Sequence, residues 1–238
     1  MPRLFPVAII AAMITNYENS HYVPLYCDLR DKKVVIVGGG RVAERKVRSL
    51  SSSGALITLI SPKITQGLST VVQQGRLEYI KRSFQEGDLE GAWLVIAATD
   101  DEQVQERVFQ EAQRQRCFCN VVDQPEKCSF IVPSLVKRGA LSIAISTGGQ
   151  SPALARSLRI RLQEQFGEEW AIYVELIGRL RRMILTQLPE SQRSQRLEKL
   201  IHWPCLDWIR EKKWEKVIKW AIDICGQDAH KIVKDVIS

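Results

Sequence analysis

The sequence predicts an α/β protein: a doubly wound parallel sheet first, then a small mixed region, then a helical C-terminal part. Three observations predict it. Lys33 to Val37 is an uninterrupted run rich in branched residues, the pattern of a strand buried on both faces of a parallel sheet. A glycine turn follows at once and opens a stretch with helical spacing. Strand-type and helical runs then alternate as far as about Val122, whereas helical pattern dominates after Ser151.

Element by element, Val42, Ala43, Val47 and Leu50 give the stretch from Arg41 to Ser53 helical spacing, and Gly54 stands where a C-cap is suited. Leu56 to Ile60 is the next strand. Gln66 to Gln74 is read as helix, Leu77 to Ile80 and Trp93 to Ala97 as strands, Asp101 to Gln115 as helix and Phe118 to Val122 as strand. Alternation of this kind places a ligand at the carboxyl ends of the strands. Beyond Phe166, apolar residues at Trp170, Tyr173, Val174, Ile177, Leu180 and Ile184 mark an amphipathic helix, and a Trp-rich stretch from Trp203 to Trp220 continues in that style. The tryptophans read as core. The expected organisation is a loose extension over 1–20, a sheet domain over 21–128, a small region over 129–166 and a helical domain over 167–238.

Composition excludes several classes. The chain has 238 residues, 45% of them apolar and 26% charged, which is enough to build a core and too little charge for wholesale disorder. Its longest N-terminal apolar run, Val7 to Ile14, falls well short of the roughly 20 residues of a membrane helix, which excludes a transmembrane protein. Tyr17 to His21 offer no small-residue cleavage pattern, and the six cysteines have no disulfide-scaffold spacing. A reduced, cytoplasmic protein is expected. Residues 1–20 are given no function, and Met13 would start an equally sensible chain. A formal charge of +7 suits an anionic partner, with nucleic acid, membrane surface and polycarboxylate ligands all open.

The strongest local signal is Gly38-Gly39-Gly40-Arg41-Val42-Ala43, a G-x-G-x-x-A pattern between a buried strand and a helix, which makes the first part Rossmann-like. Gly38 permits the tight turn, Gly40 removes a Cβ so that backbone N–H groups approach a pyrophosphate, and Ala43 lets helix and strand pack closely. NAD is the expected cofactor. One departure matters: the second strand ends at Ser61-Pro62-Lys63, where an NAD site usually places an acidic residue on the ribose. Ser61 is a weak substitute there and Lys63 suits a 2′-phosphate, so the residues leave NAD against NADP open. At the fourth strand's end, Thr99 is expected beside the nicotinamide half, while Thr99 to Glu102 also fits a capping box that would only start the next helix.

The fifth strand ends in Asn120-Val121-Val122-Asp123, followed by Ser129-Phe130-Ile131-Val132-Pro133-Ser134 and then Ser146-Thr147-Gly148-Gly149-Gln150-Ser151-Pro152. Together with Gly38 to Ala43, Arg45-Lys46 and Ala97-Ala98-Thr99-Asp100, these five motifs in this order closely resemble the precorrin-2 dehydrogenase family of siroheme synthesis. The resemblance covers roughly Tyr22 to Phe166. It implies NAD-dependent oxidation of precorrin-2 to sirohydrochlorin, in some members followed by ferrous iron insertion, by a homodimer. It further implies that Asp123 is catalytic and that Ser129 to Pro152 belongs to a dimerisation region at the substrate cleft. Trifunctional bacterial relatives add a methyltransferase module for which this chain has no length.

Physical chemistry stands beside that analogy. Oxidising a reduced tetrapyrrole removes a hydride and a proton, so the protein needs a nicotinamide acceptor and one modest base. Asp123 follows a strand end on the ligand side of the sheet, with an Asx-turn or N-cap as its plainer role. Asn120 is grouped with the substrate residues, though anchoring the loop suits it better. A substrate with eight carboxylates needs cationic walls, and Lys137, Arg138, Arg156, Arg159 and Arg161 surround the second motif cluster. Arg156 is the best anchor, since Ser151-Pro152 reads as N-cap and first helical residue, with Thr147, Gly148 and Ser151 offering hydroxyls and N–H groups. Cys117, Cys119 and Cys128 read as buried thiols rather than a metal cluster, and iron chelation is left open. Two competitors are a regulatory module that senses NAD and contacts partners through its basic helical tail, and an oxidoreductase on another anionic substrate. Basic residues interspersed with Glu along the tail argue against nucleic-acid binding.

Overall fold

The computed structural model describes residues 22–237, so the expectation for residues 1–20 lies outside the described residues. The chain divides into two units, with the boundary between Val132 and Pro133, so that residues 129–132 go with the sheet domain and 133–166 with the helices.

In the first unit, β1 (Lys33–Val37), β2 (Leu56–Ile60), β3 (Glu78–Ile80), β4 (Leu94–Ala97) and β5 (Phe118–Val121) form one parallel sheet in the order β3-β2-β1-β4-β5. The chain order reverses between β1 and β4, the position at which a doubly wound sheet opens a crevice. The branched run of β1 is buried on both sides because its residues alternate between two cores. Val34 and Ile36 pack with Ala43 and Val47 of α1 (Arg41–Leu50) and Leu68 of α2 (Gln66–Gln73). Val35 and Val37 pack with Val108 and Ala112 of α3 (Glu102–Gln115).

Several expected bounds shift by one residue, and two helix ends are built differently from expectation. Helix α1 stops at Leu50 rather than Ser53, because the hydroxyls of Ser51 and Ser53 donate back to Val47 O and Leu50 O, at 2.8 and 2.6 Å. Gly54 is therefore no C-cap; at φ +75° it closes the following turn, and its carbonyl accepts the Asp31 N–H. At α3 the cap is Asp101, whose Oδ1 accepts from Gln103 N and Val104 N at 3.0 and 3.1 Å, so the Thr99–Glu102 capping box does not form.

The second unit opens with an antiparallel hairpin, β6 (Ser134–Arg138) and β7 (Leu141–Ile145), and continues with α4 (Pro152–Gln165). The tail is helical: α5 (Glu169–Gln187), α6 (Glu190–Lys199), α7 (Pro204–Arg210), α8 (Trp214–Cys225) and α9 (Ala229–Ile237). Its core is the stripe Tyr173, Leu176, Leu180 and Ile184 of α5, packed against Leu206, Ile209, Val217, Trp220, Ile224 and Val233. Trp220 is core, as expected. Trp203 is not; at 63% exposure it lies at the surface. Among the described residues no helix is long and apolar enough to cross a membrane.

Candidate functional site

The carboxyl edge of the sheet is assembled by backbone hydrogen bonds between successive strand ends. Gly38 N–H donates to Ile60 O at 2.9 Å, Ala98 N–H to Val37 O at 2.7 Å, and Thr65 N–H to Gly39 O at 3.0 Å. Each glycine has a different task. A Cβ on Gly38, which has φ +118°, would lie 2.1 Å from Ala98 O, and one on Gly39 would lie 1.9 Å from Lys63 O. A Cβ on Gly40 would meet nothing within 4 Å. The first two glycines let the loops after β4 and β2 close on the turn. The third faces open space beside the amides of Gly39 to Ala43, which among the described residues donate to no protein acceptor. This is a cradle of unpaired N–H groups at a helix N-terminus, the donor set a pyrophosphate needs, so the residues present fit a dinucleotide. Ala43 is fully buried under α1, where close helix–sheet packing requires a small side chain.

Around the cradle, Arg41 and Val42 begin α1, Arg41 exposed and Val42 half-buried. Ser61 is buried and its hydroxyl donates to Lys63 O at 2.7 Å, so its proton holds the loop. Pro62 and Lys63 are exposed, and the Lys63 ammonium has no hydrogen-bond or ion-pair partner among the described residues. The sequence reading missed Glu44. Its Oε2 accepts from Thr65 Oγ1 at 2.6 Å and its Oε1 from Arg48 at 2.7 Å, and these two partners hold its carboxyl below the ordinary range. Gly67 makes room for that carboxylate, since a Cβ there would lie 2.2 Å from Glu44 Oε1. A Glu at the first turn of α1 facing a Thr N-cap was the available signal.

On the other side of the switch point, Thr99 Oγ1 accepts the Asp101 N–H at 3.3 Å, and Thr99 O accepts from Gln105 Nε2 at 2.6 Å. Gln105 Oε1 in turn accepts from Gln124 Nε2 at 2.5 Å, which ties the loop after β4 to the loop after β5. The loop after β5 turns at Asp123, with φ +63°, and Cys128 Sγ donates to Val121 O and Gln124 O on either side of it. Asp123 is exposed and its carboxylate has no partner among the described residues, while Gln124 occupies the cap position of the short 3-10 turn that follows. The cap or Asx-turn role is thus not taken. Asp is among the residues that tolerate the left-handed region, and here the conformation leaves the carboxylate at the apex of the loop. Gln105 was also missed; a polar residue on the buried face of α3, in step with Val108 and Ala112, was its signal.

Asn120 is corrected as a substrate contact. It is buried, and its Nδ2 donates to Phe130 O at 2.9 Å, with Cys128 Sγ a weaker acceptor, so it fastens the segment after the turn. Cys117 and Cys119 are buried, which pushes their thiols up to about 11 and about 12. Lys46 of α1 is half-buried, and burial followed by the neighbouring Arg45 pushes its amine down. No group of three or more His, Cys, Asp or Glu suited to a metal ion occurs among the described residues.

In the second unit, the turn from β7 to α4 has Gly148 and Gly149 at φ +61° and +86°. Ser146 Oγ accepts Gly148 N–H, Thr147 Oγ1 accepts Ser151 N–H, both at 3.1 Å, and Ser151 caps α4 by accepting Leu154 N–H at 3.3 Å. The hydroxyl oxygens shape the turn and leave their protons to donate. Arg156 is exposed and without a partner among the described residues, whereas Arg138 is held by Gln163 O and Glu168, and Arg159 by Gln163 Oε1.

Comparison with known proteins agrees with this geometry. A family model described as NAD(P)-binding matches residues 25–134, and one described as sirohaem biosynthesis protein central matches residues 138–165. The siroheme synthase of Salmonella typhi is 42% identical over 166 residues, 70% of this chain and 36% of that protein. Siroheme synthase 3 of Aeromonas hydrophila is 41% identical over 163 residues, 68% of this chain and 35% of that protein. The chain spans about a third of the length of these curated relatives. The solved structure of SirC, precorrin-2 dehydrogenase, has the same fold, with a TM-score of 0.69 at 22% identity over 91% of this chain and 99% of that one. With the two family models side by side, residues 25–165 are similar to the sirohaem-biosynthesis proteins that include the siroheme synthases.

Proposed function

We propose that the chain oxidises precorrin-2 to sirohydrochlorin with NAD as acceptor, in the cytoplasm and as a homodimer. The observation that carries this reading is the pairing, on one sheet edge, of an open cradle at Gly40 with an unengaged carboxylate at Asp123, across the point where strand order reverses. The substrate comes from the named relatives. When bound, the nicotinamide takes up the hydride that the macrocycle loses.

The chain's own residues then have separable tasks. The amides of Gly39 to Ala43 hold the pyrophosphate, with Arg41 and Val42 beginning the helix behind it. Thr99 lies beside the nicotinamide half. Asp123 Oδ takes the proton released with the hydride, and its placement at the loop apex is kept by Gln124 and Cys128. In the second unit, Arg156 anchors a substrate carboxylate, with the Thr147 and Ser151 hydroxyls and the exposed Gly148 backbone around it. Leu135 on β6 and Leu154, Leu158 and Ile160 on α4 are apolar and exposed, which supports pairing of two copies through this hairpin and helix.

The test is an anaerobic assay of the purified chain with precorrin-2 and NAD. NADH and sirohydrochlorin should appear together in equal amounts. Nucleotide binding without either product would overturn the reading and favour a sensing module. Ferrous iron in a parallel reaction reads whether the same chain also forms siroheme, and light scattering reads the dimer.

A further inference from the structure

We infer that Gln105 is a positioning residue that couples the two loops of the site: its carboxamide ties the placement of Thr99, on the cofactor side, to Gln124 and so to Asp123, on the proton-accepting side. This rests on the function proposed above and names the residue through which its two halves act together.

Gln105 lies on the buried face of α3, in step with Val108 and Ala112, and is only 6% exposed. A carboxamide buried there costs stability unless both of its ends are bonded, and a leucine of similar size would fill the same volume without that cost. Both ends are bonded. Nε2 donates to Thr99 O at 2.6 Å, and Oε1 accepts from Gln124 Nε2 at 2.5 Å. The direction of this relay is fixed, since a backbone carbonyl only accepts: the nitrogen end of Gln105 has to face Thr99, which leaves its oxygen for Gln124. Each bond of such a chain polarises the next, so the two are stronger together than apart.

Each loop has fastenings of its own, so neither depends on this relay to fold. The loop after β4 is held by Ala98 N–H on Val37 O at 2.7 Å and by Thr99 Oγ1, which accepts the Asp101 N–H at 3.3 Å. In the loop after β5, Cys128 Sγ donates to Val121 O and Gln124 O, Lys127 Nζ pairs with Glu106 Oε2 of α3 at 2.7 Å, and Asn120 Nδ2 holds Phe130 O. None of these bonds joins one loop to the other. Past the last backbone bond between the two strand ends, Val122 N–H on Ala97 O at 2.9 Å, the loops meet through the Gln105 carboxamide. Asp123, one residue before Gln124, stands exposed at φ +63°, so the direction of its carboxylate is set by the backbone it shares with Gln124. A small shift of that backbone moves the carboxylate relative to a nicotinamide beside Thr99, and hydride and proton transfer need the two in register.

The test uses the full chain with Gln105→Leu, Gln124→Leu, both together, and Gln105→Glu. With precorrin-2 and NAD, each single leucine substitution should lower kcat by about tenfold, while KM for precorrin-2 and the calorimetric Kd for NAD stay within a few-fold of wild type. The double variant should lose no more than either single, because one relay is cut twice. Gln105→Glu keeps the shape and loses the donor. Its kcat relative to wild type should climb as the pH falls from about 8 to about 6, since a protonated carboxyl again donates to Thr99 O, a recovery that lost packing does not give. Hydrogen exchange reads the same link without turnover: NAD should slow amide exchange over residues 120–128 in the wild type and not in Gln105→Leu. Far-UV circular dichroism and thermal melting check that the variants fold. Additive losses in the double variant overturn the inference, as do leucine variants that turn over within about twofold of wild type. A wild-type chain that binds NAD and forms no NADH from precorrin-2 sinks the proposed function instead, and exchange then decides the coupling: protection of residues 120–128 that survives Gln105→Leu overturns it. A chain that does not bind NAD overturns both.

Discussion

Two glycine-bearing turns lead from a strand into a helix in this chain, and they are built in opposite ways. In the turn after β1, the neighbouring backbone demands two of the glycines: Ala98 O and Lys63 O close on Gly38 and Gly39, and only Gly40 looks into open space. In the turn after β7, neither Gly148 nor Gly149 has a heavy atom within 4 Å of an added Cβ, and both are present for their positive φ alone. The first turn is locked by three strand ends and is pre-formed for a ligand. The second is shaped by the hydroxyls of Ser146, Thr147 and Ser151, most of them open to water, so its form is set by weaker bonds. Rigid preorganisation belongs where pyrophosphate geometry is fixed; a turn that meets a large polycarboxylate gains from adaptability.

Substitution at the two turns should separate them most. Gly39→Ala forces the Lys63 carbonyl and the β2 end to move, and we expect a loss of about 3 kcal/mol or more in the first unit's stability. Gly149→Ala strains only its own torsion, at about 1–2 kcal/mol. Chemical denaturation of both variants checks this, and equal losses would break the comparison.

The next effect concerns the carboxylate on the pre-formed edge. Asn tolerates the left-handed conformation of Asp123 as well as Asp does, so Asp123→Asn should fold normally and bind nucleotide, yet lower the rate of precorrin-2 oxidation by roughly a hundredfold to ten-thousandfold. A turnover within a few-fold of wild type would remove Asp123 from the chemistry. Gly40→Val sharpens the same point from the cofactor side. Its φ of −82° suits any residue, and an added Cβ meets no heavy atom within 4 Å, so the fold should lose no more than about 1 kcal/mol from the weaker N-cap. The side chain fills the cradle instead, and NAD affinity measured by calorimetry should fall by about a hundredfold or more.

What was legible in the sequence follows the same divide. The double burial of β1, the turn and the small residue at Ala43 are local patterns, and the sheet reproduces them strand by strand. The amphipathic stripe of α5 was also local, although Leu176 replaces Val174 on its buried face. Non-local partners were not legible. Gly39 looks like a spare glycine until Lys63 is seen against it, and nothing in the sequence shows the Ser61 proton on Lys63 O. Asn120 and Gln105 are polar residues whose acceptors, Phe130 O and Thr99 O, belong to loops that only the fold brings near. Helix α1 was overextended because back-bonding serines leave no trace in hydrophobic spacing.

The smallest effect tests the adaptable turn. Of the arginines on the elements around it, Arg138 and Arg159 are held by Gln163 and Glu168, and Arg156 has no partner among the described residues. Charge alone would rank them equally as anchors for an anionic substrate, but a guanidinium already engaged by protein must break those bonds before it can serve. Arg156→Ala should therefore raise KM for precorrin-2 by about tenfold, with kcat and thermal stability retained. Arg138→Ala should do the reverse, lowering the melting temperature while KM stays within a few-fold, because its Nη2 bond to Gln163 O ties β6 to the end of α4. If Arg138→Ala raised KM and Arg156→Ala did not, the substrate would be drawing on the hairpin rather than on the helix, and the division between a framework arginine and a binding arginine would fall with it.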